Sequence, residues 1–448
     1  MIRANLELRD RTAARLAYER CLSTLADAGL LPSRETSELL SGASESNNPA
    51  VASATSATSD PRVRLRVLPL RVLGSKTSVG LMPGLAEELS VAISRFRWIA
   101  CSVSAAQGEG SQVPDADYML DATLQCGSNR VRVIVRLLDL HSGNNVVWAR
   151  SHDVEVDDLL SLQNASAAET AAQIDPQMLL REGERRGAKP LISLTSFDLT
   201  LRAIPSIYRL EPSGFQAAGE LLASAIELDP GNAAAHAWCA YWNVLLIGQA
   251  WTADPSAATL RARQLAERAV TLDPGDARAL SLVGHVRAFL DRRPEEARAL
   301  HERALSLNPG LPLAWCYSGL AQCYLGMHEE AIKQISRAQT LAPHDPHAFF
   351  FDMALMMPYF LCGEFEKALS SGRRAMELNP SFTSTYKGYL ATLGQLGREE
   401  EAARVMTRLL ELEPGFCVRS ALERSPMTRS IDQNLYAEGL RRAGLPEG

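Results

Sequence analysis

The sequence predicts a mainly α-helical protein in which a solenoid of helical hairpins follows a small α+β domain. Three observations support this prediction. A helix-ending phrase with a proline recurs through the second half of the chain, the stretch before it alternates apolar and polar residues as strands do, and a segment of small polar residues precedes both. The chain of 448 residues is long enough for two or three domains.

Six related phrases, the first SAIELDPGN and the last RLLELEPGF, form the repeat. Their prolines are Pro230, Pro274, Pro309, Pro343, Pro380 and Pro414, at spacings of 44, 35, 34, 37 and 34 residues. Twelve residues earlier stand Ala218, Ala262, Ala297, Ala331, Ala368 and Ala402, and a second alanine precedes five of the six prolines by five residues. Alanine lets two helices approach closely and proline ends a helix, so each unit predicts a hairpin. The longer first spacing predicts an insertion near GQAWTADPS.

The period of about 34 residues with small residues at fixed offsets resembles the tetratricopeptide repeat. The resemblance implies stacked hairpins that share one core, with a concave groove, lined by the first helix of each hairpin, for an extended peptide or a partner helix. By hairpin position the residues predicted to face this groove are Cys316, Tyr324, Met353, Met357 and Lys387. The alternative for Met353 and Met357 is that they fill the core.

Residues 62–178 predict the α+β domain. RVRLRVLPL alternates with period two, WIACSVS forms a second strand, and three longer strands follow, beginning at ADYMLDATLQC. In NRVRVIVRLLDL, the apolar face is predicted to comprise Val131, Val133, Val135 and Leu137, and the polar face Arg130, Arg132 and Arg136. GLAEELSVAISRF has helical spacing, and a helix near 155–175 closes the unit.

Two further resemblances concern the remaining segments. LRVLPL, GLAEELSVAISRFRWI and the run from ADYMLDATLQC to DDLLSLQ look like the TolB-like amino-terminal domain that often precedes tetratricopeptide arrays in bacterial regulators and some adenylate cyclases. AARLAYERCLSTLADAGLLPSRETSELL looks like the tail of a bacterial transcriptional activator domain. That second resemblance implies that residues 1–40 are the end of a larger helical domain that normally follows a DNA-reading domain.

These observations divide the chain into six predicted segments. They are the activator-domain fragment 1–40, the flexible linker 41–61, the TolB-like domain 62–178, a connector 179–200, the solenoid 201–430 and a C-terminal capping helix 431–448. The linker is predicted from its composition, since it has no aromatic residue, lysine or arginine with which to build a core or an ion-paired surface.

The sequence predicts neither catalysis nor a cofactor. GSKTSVG lacks the spacing of a phosphate loop, and HDPH at 344–347, predicted to be a surface loop, has no further metal ligands at suitable spacing. Cys316 and Cys323 are seven residues apart, which favours apolar packing over a redox pair, and the eight scattered cysteines suit a reduced, cytoplasmic protein. The net charge of −6 argues against a broad nucleic-acid surface.

The predicted function is therefore that of a cytoplasmic, non-enzymatic regulatory protein that acts through protein–protein contacts in its groove and is related to transcriptional regulation. The predicted partner is a protein, with no direct nucleic acid, membrane or small-molecule substrate. The alternative is a general scaffold or signalling adaptor of the adenylate-cyclase-associated type, without a transcriptional role.

Overall fold

The structure, a computed structural model, describes residues 60–74, 83–104, 116–126, 130–155, 159–190 and 193–448. Residues 61–448 belong to one compact unit. The predicted activator-domain fragment, and all but the end of the predicted linker, lie outside the described residues. In the described part the chain is mainly helical, with a small sheet before a helical solenoid, which confirms the predicted fold class.

A mixed sheet forms the first part of the unit. Its strands are β1 Val63–Val67, β2 Arg71–Gly74, β3 Ile99–Val103, β4 Tyr118–Cys126, β5 Arg130–Asp139 and β6 Asn145–Glu155. Two helices pack with it, α1 Pro83–Ser94 and α2 Leu159–Gly187. The strand order is β3-β1-β4-β5-β6, with β2 also paired to β4. Strand β2 was not predicted. The sequence pattern indicated a single strand that continues through LPL, whereas in the structure β1 ends before these residues and β2 begins after them.

Strand β5 shows why the sheet has one buried face. Val131, Val133, Val135 and Leu137 are at most 3 % exposed, as the alternation predicted. Arg130 and Arg132 are exposed on the opposite face, and Arg136 meets Asp121 of the neighbouring strand β4. Side chains alternate across a strand, so a single register places all four apolar residues in the core.

Helix α2 is longer than predicted and connects the sheet to the solenoid. It continues to Gly187, past the predicted domain boundary at residue 178. Its buried Asp175 accepts hydrogen bonds from Trp98 Nε1 at 2.8 Å and from Arg278 at 2.9 Å. Gln173 donates to the carbonyl of Leu341 at 3.1 Å. Helix α2 is thus hydrogen-bonded both to the sheet side and to the solenoid, and it packs between them across the predicted boundary.

The solenoid consists of six helical hairpins within the described residues. The first helices are α3 Ser196–Arg209, α5 Ala233–Gly248, α7 Ala277–His285, α9 Pro312–Tyr324, α11 Ala348–Leu361 and α13 Thr383–Gln395. Their partners are α4 Pro212–Leu228, α6 Pro255–Leu272, α8 Pro294–Leu307, α10 His328–Leu341, α12 Phe365–Leu378 and α14 Glu399–Leu412. Two further helices, α15 Val418–Glu423 and α16 Ser430–Arg442, follow the last hairpin.

The alanine and proline pattern has a direct structural cause. The alanines twelve residues before each proline are at most 1 % exposed, and so are the residues at the second offset. Each proline follows a helix by two residues, and the residue between has φ of −136° to −144°. That extended backbone is what proline imposes on the residue before it, so the repeat phrase ends the second helix of every hairpin.

The extra residues of the first spacing lengthen one hairpin. Helices α5 and α6 contain 16 and 18 residues, whereas α9 and α10 contain 13 and 14. The loop between α5 and α6 brings the buried Gln249 to the start of α13, where its Oε1 accepts the N–H of Thr383 at 2.9 Å. The lengthened hairpin therefore reaches across the concave side of the solenoid.

Candidate functional site: the concave groove

The concave side of the solenoid carries a closely packed set of rings at the end nearest the sheet. His285 stacks on Tyr317 with ring centroids 3.9 Å apart, and Tyr317 meets the edge of Phe350 at 5.9 Å. Tyr208 contacts His347 with ring centroids 4.0 Å apart. These rings come from different hairpins, so they join the first helices into one core and fill that part of the groove.

Next to these rings, and lined by two of them, His285 and Phe350, the groove contains a cavity of about 180 Å³, here called the groove cavity. Its walls are mainly apolar and come from helices α5, α7, α9, α11 and α13. Phe289, one of the lining residues, lies in a π-helical turn, Val286–Leu290, that continues α7. Such turns are rare and occur frequently at functional sites.

Four of the five predicted groove residues line this cavity together. Tyr324, Met353, Met357 and Lys387 are all lining residues. Cys316 is not among them, since its side chain is fully buried within α9. Met353 and Met357 are partly buried, and they pack against the hydrophobic core as well as lining the cavity.

Lys387 has a buried environment that its position in the repeat did not indicate. Its Nζ lies 2.7 Å from the carboxylate of Glu413, and its side chain is only 13 % exposed. Arg424 contacts the same carboxylate, and Lys387 Nζ lies 5.1 Å from the ring centroid of Phe416. Burial and the nearby Arg424 lower the pKa of Lys387 to about 8. Two cations, Lys387 and Arg424, thus share one carboxylate at this end of the cavity.

Two buried polar atoms at the cavity have no hydrogen-bond partner in the described residues. Gln249 is 1 % exposed, and its Nε2 is unpartnered although its Oε1 is bonded to the backbone. His285 is 4 % exposed, its Nδ1 is likewise unpartnered, and burial lowers its pKa to about 3. Buried polar groups are usually bonded, so these two atoms are exceptions to that rule within the described residues.

The C-terminal part of the chain covers the groove cavity. Phe416, Met427 and Tyr436 line it from this side, opposite the concave helices. Thr428 fastens the covering segment, because its N–H and its hydroxyl both donate to the carbonyl of Tyr324, at 3.0 and 2.9 Å. The C-terminal segment is thus held at this side of the cavity by contacts between residues about a hundred positions apart.

The other sequence candidates lie elsewhere. His344 is exposed, but His347 is 3 % exposed among aromatic rings, so the prediction that HDPH is wholly a surface loop is wrong. The side chain packs inward because the turn after α10 lies against Tyr208 and Tyr241. Cys316 and Cys323 are buried free thiols. Most of GSKTSVG lies outside the described residues.

Neither a metal site nor a membrane span is present in the ranges that the structure describes. They contain no group of three or more His, Cys, Asp or Glu residues placed to hold a metal ion. In the same ranges, no helix has the length and apolar character needed to cross a membrane.

Comparison with known proteins gives limited sequence likeness. No family model matches the chain. A putative adenylate cyclase 3 of Rhizobium meliloti (strain 1021) is 26 % identical over 120 residues, which are 27 % of this chain and 20 % of that protein. The match thus spans about a fifth of the length of this curated relative.

Solved structures that resemble the chain include several tetratricopeptide proteins. YrrB, described as having an unusual peptide-binding site, is 20 % identical, covering 44 % of this chain and 94 % of YrrB with a TM-score of 0.27. A thermophilic tetratricopeptide protein of Thermus thermophilus is 19 % identical, with coverages of 49 % and 98 % and a TM-score of 0.34. Human IFIT1 with m7Gppp-AAAA is 12 % identical, with coverages of 65 % and 68 % and a TM-score of 0.43. The assignment of the repeat fold rests on the hairpins described above.

Sequence reasoning missed several residues of the groove cavity. Gln249 belongs to an inserted loop, and Arg424 follows the last helix of the repeat array, so neither occupies a repeat position that faces the groove. The one available signal was the insertion itself, because extra residues between two repeat helices must be accommodated somewhere on the solenoid.

Proposed function

We propose that this protein is a non-enzymatic regulatory adaptor whose groove cavity takes up part of a partner protein. The observation that carries the proposal is a cavity in the groove with mainly apolar walls, lined by the flexible Met353 and Met357. Apolar walls with a few polar groups, here including Lys387, are typical of binding sites.

The size of the cavity suits one anchoring side chain. At about 180 Å³ it is smaller than the roughly 300–1,000 Å³ of typical small-molecule pockets. Met353 and Met357 have flexible side chains that adapt to the shape of an apolar group. We therefore propose that a peptide segment inserts a single aliphatic or aromatic side chain between these methionines.

A peptide selection tests this proposal. A library of random 12-residue peptides displayed on phage would be selected against the full chain, and Kd measured for the enriched peptides. We expect a shared apolar residue and a loss of binding of about tenfold or more in Met353→Glu, because a carboxylate would enter the apolar wall.

Met327→Glu is the matched control, since Met327 is 44 % exposed and does not line the cavity. Equal binding of the selected peptides to the Met353→Glu and wild-type proteins would reject the groove cavity as the site of uptake.

A role in transcription is the finer part of the proposal, supported by the resemblance of residues 1–40 to an activator domain. A general adaptor associated with adenylate cyclases is the alternative, supported by the 120-residue likeness to a putative cyclase. Purified RNA polymerase subunits and winged-helix regulators from the native cell should be retained by the immobilised protein if the role is transcriptional. Retention of neither would favour the adaptor.

A further inference from the structure

A second and larger cavity lies where the sheet meets the solenoid; it is here called the junction cavity. It measures about 680 Å³, within the range of roughly 300–1,000 Å³ that is typical of ligand pockets. One side is the loop Arg95–Trp98 before β3, and the other is formed by the start of α3 and by the turns before α5 and α7. Ligand sites occur preferentially at such boundaries between structural units.

Three aromatic side chains of the junction cavity have fixed orientations. Trp98 donates its Nε1–H to Asp175 at 2.8 Å. Trp238 is 5 % exposed and has the guanidinium of Arg278 over its ring at 4.9 Å. Phe197 has a second guanidinium 5.5 Å from its centroid. Rings that are already held in place need little ordering when a flat ligand packs against them.

The carboxylates that line the junction cavity already have partners. Asp229 accepts the N–H of Gly231 at 2.9 Å, Asp273 binds Arg97 at 2.7 Å, and Asp276 accepts the N–H of Arg278 at 2.8 Å. Arg95 also lines the cavity, and its side chain is exposed. No carboxylate of the described ranges forms an ion pair with it. A bound anion would therefore meet a guanidinium whose charge is not already neutralised by an ion pair.

We propose that the junction cavity binds a small organic anion that carries a flat aromatic ring. The ring packs against the partly exposed Trp98, and the anionic group receives hydrogen bonds from Arg95. Mononucleotides and aromatic carboxylates share this chemistry. Such a ligand contacts the sheet and the solenoid at once, so it also stabilises their junction.

Isothermal titration of the full chain tests the proposal with two anions, AMP and 2-naphthoate. Each is compared with a neutral counterpart, adenosine or 2-naphthalenemethanol. We expect one of the anions to bind with a stoichiometry of one and its neutral counterpart to bind about tenfold more weakly, since a charge-assisted hydrogen bond is lost. Which anion binds distinguishes a nucleotide site from a site for aromatic acids.

Two variants and a control locate the binding. Arg95→Ala should weaken binding of the anion by about tenfold. Because Arg95 is exposed, the substitution should leave the melting temperature of the free protein unchanged. Arg95→Lys should keep part of the affinity, and Arg404→Ala, another exposed arginine, should keep all of it. The proposal is overturned if neither anion binds, or if the bound anion has the same affinity for Arg95→Ala as for the wild type.

Discussion

The contacts inside a hairpin differ in kind from the contacts that join the sheet to the solenoid. Between α9 and α10 the helices meet at Gly319 and Ala331, where a Cβ added to Gly319 would lie 2.6 Å from Ile335 Cγ1. At the junction, Asp175 instead bonds Trp98, 77 residues earlier, and Arg278, 103 residues later. The stability of a hairpin therefore depends on the volume of the side chains packed between two helices that are adjacent in sequence. The stability of the junction depends on buried polar groups that are distant in sequence.

This comparison predicts that the largest loss of stability follows removal of the junction carboxylate. Asp175→Ala leaves the buried Arg278 without its counter-charge and should lower the free energy of unfolding by about 3–5 kcal/mol. Urea unfolding followed by circular dichroism measures the change. Adding Arg278→Ala to the Asp175→Ala variant should restore part of the lost stability, because the unpaired charge is then removed. If the losses of the two single variants simply add in the double variant, the two residues are not coupled.

Overpacking a hairpin should cost less than breaking the junction. Ala331→Leu adds three carbons where Ala331 is fully buried, and we expect a loss of about 1–3 kcal/mol in the free energy of unfolding. The matched control is Ala403→Leu, the same change at an exposed helical position. If both variants melt at the wild-type temperature, the close helix contact assigned to Ala331 is wrong.

A pH measurement sharpens the comparison inside the solenoid. His301 is fully buried, neither of its ring nitrogens has a hydrogen-bond partner in the described part of the chain, and burial lowers its pKa to about 3. Because the folded pKa lies below the ordinary 6.5, its stabilisation is present above pH 6.5 and is lost as the pH falls towards 3.

From pH 7 to 5.5 this loss should be about 1 kcal/mol from His301 alone. The His301→Leu variant should not show this pH-dependent loss of stability, whereas His344→Leu, a change at an exposed histidine, should still show it. Urea unfolding at both pH values gives the comparison. An identical pH dependence in wild type and His301→Leu would show that the ring is not buried in its neutral form.

The smallest effect is expected at the exposed ion pair of the junction. Arg97 lies 2.7 Å from Asp273 and also joins the sheet to the solenoid, but its side chain is 55 % exposed. Solvent screens such pairs, so Arg97→Ala should change the free energy of unfolding by about 0.5 kcal/mol or less. If Arg97→Ala lowers the free energy of unfolding as much as Asp175→Ala does, the location of a pair at the junction affects stability more than its burial does.

Local features of the solenoid were accessible from the sequence because they repeat. Ala262 and Pro274 bear the same relation as Ala331 and Pro343, and both pairs occupy equivalent places in their hairpins. The groove cavity was only partly predictable. Repeat position brought Tyr324 and Met353 to it, but it also placed Cys316 towards the groove, where that residue is instead buried between helices.

The sequence by itself determined where the second helix of each hairpin ends and which face of β5 is buried, because proline, alanine and alternating valines act on residues within a turn or two of themselves. Only the tertiary structure decided the partners of Asp175, the contact of Thr428 with Tyr324 and the existence of both cavities. Each of these joins residues tens to more than a hundred positions apart, and no local pattern records which distant group will satisfy a buried charge or hydrogen bond.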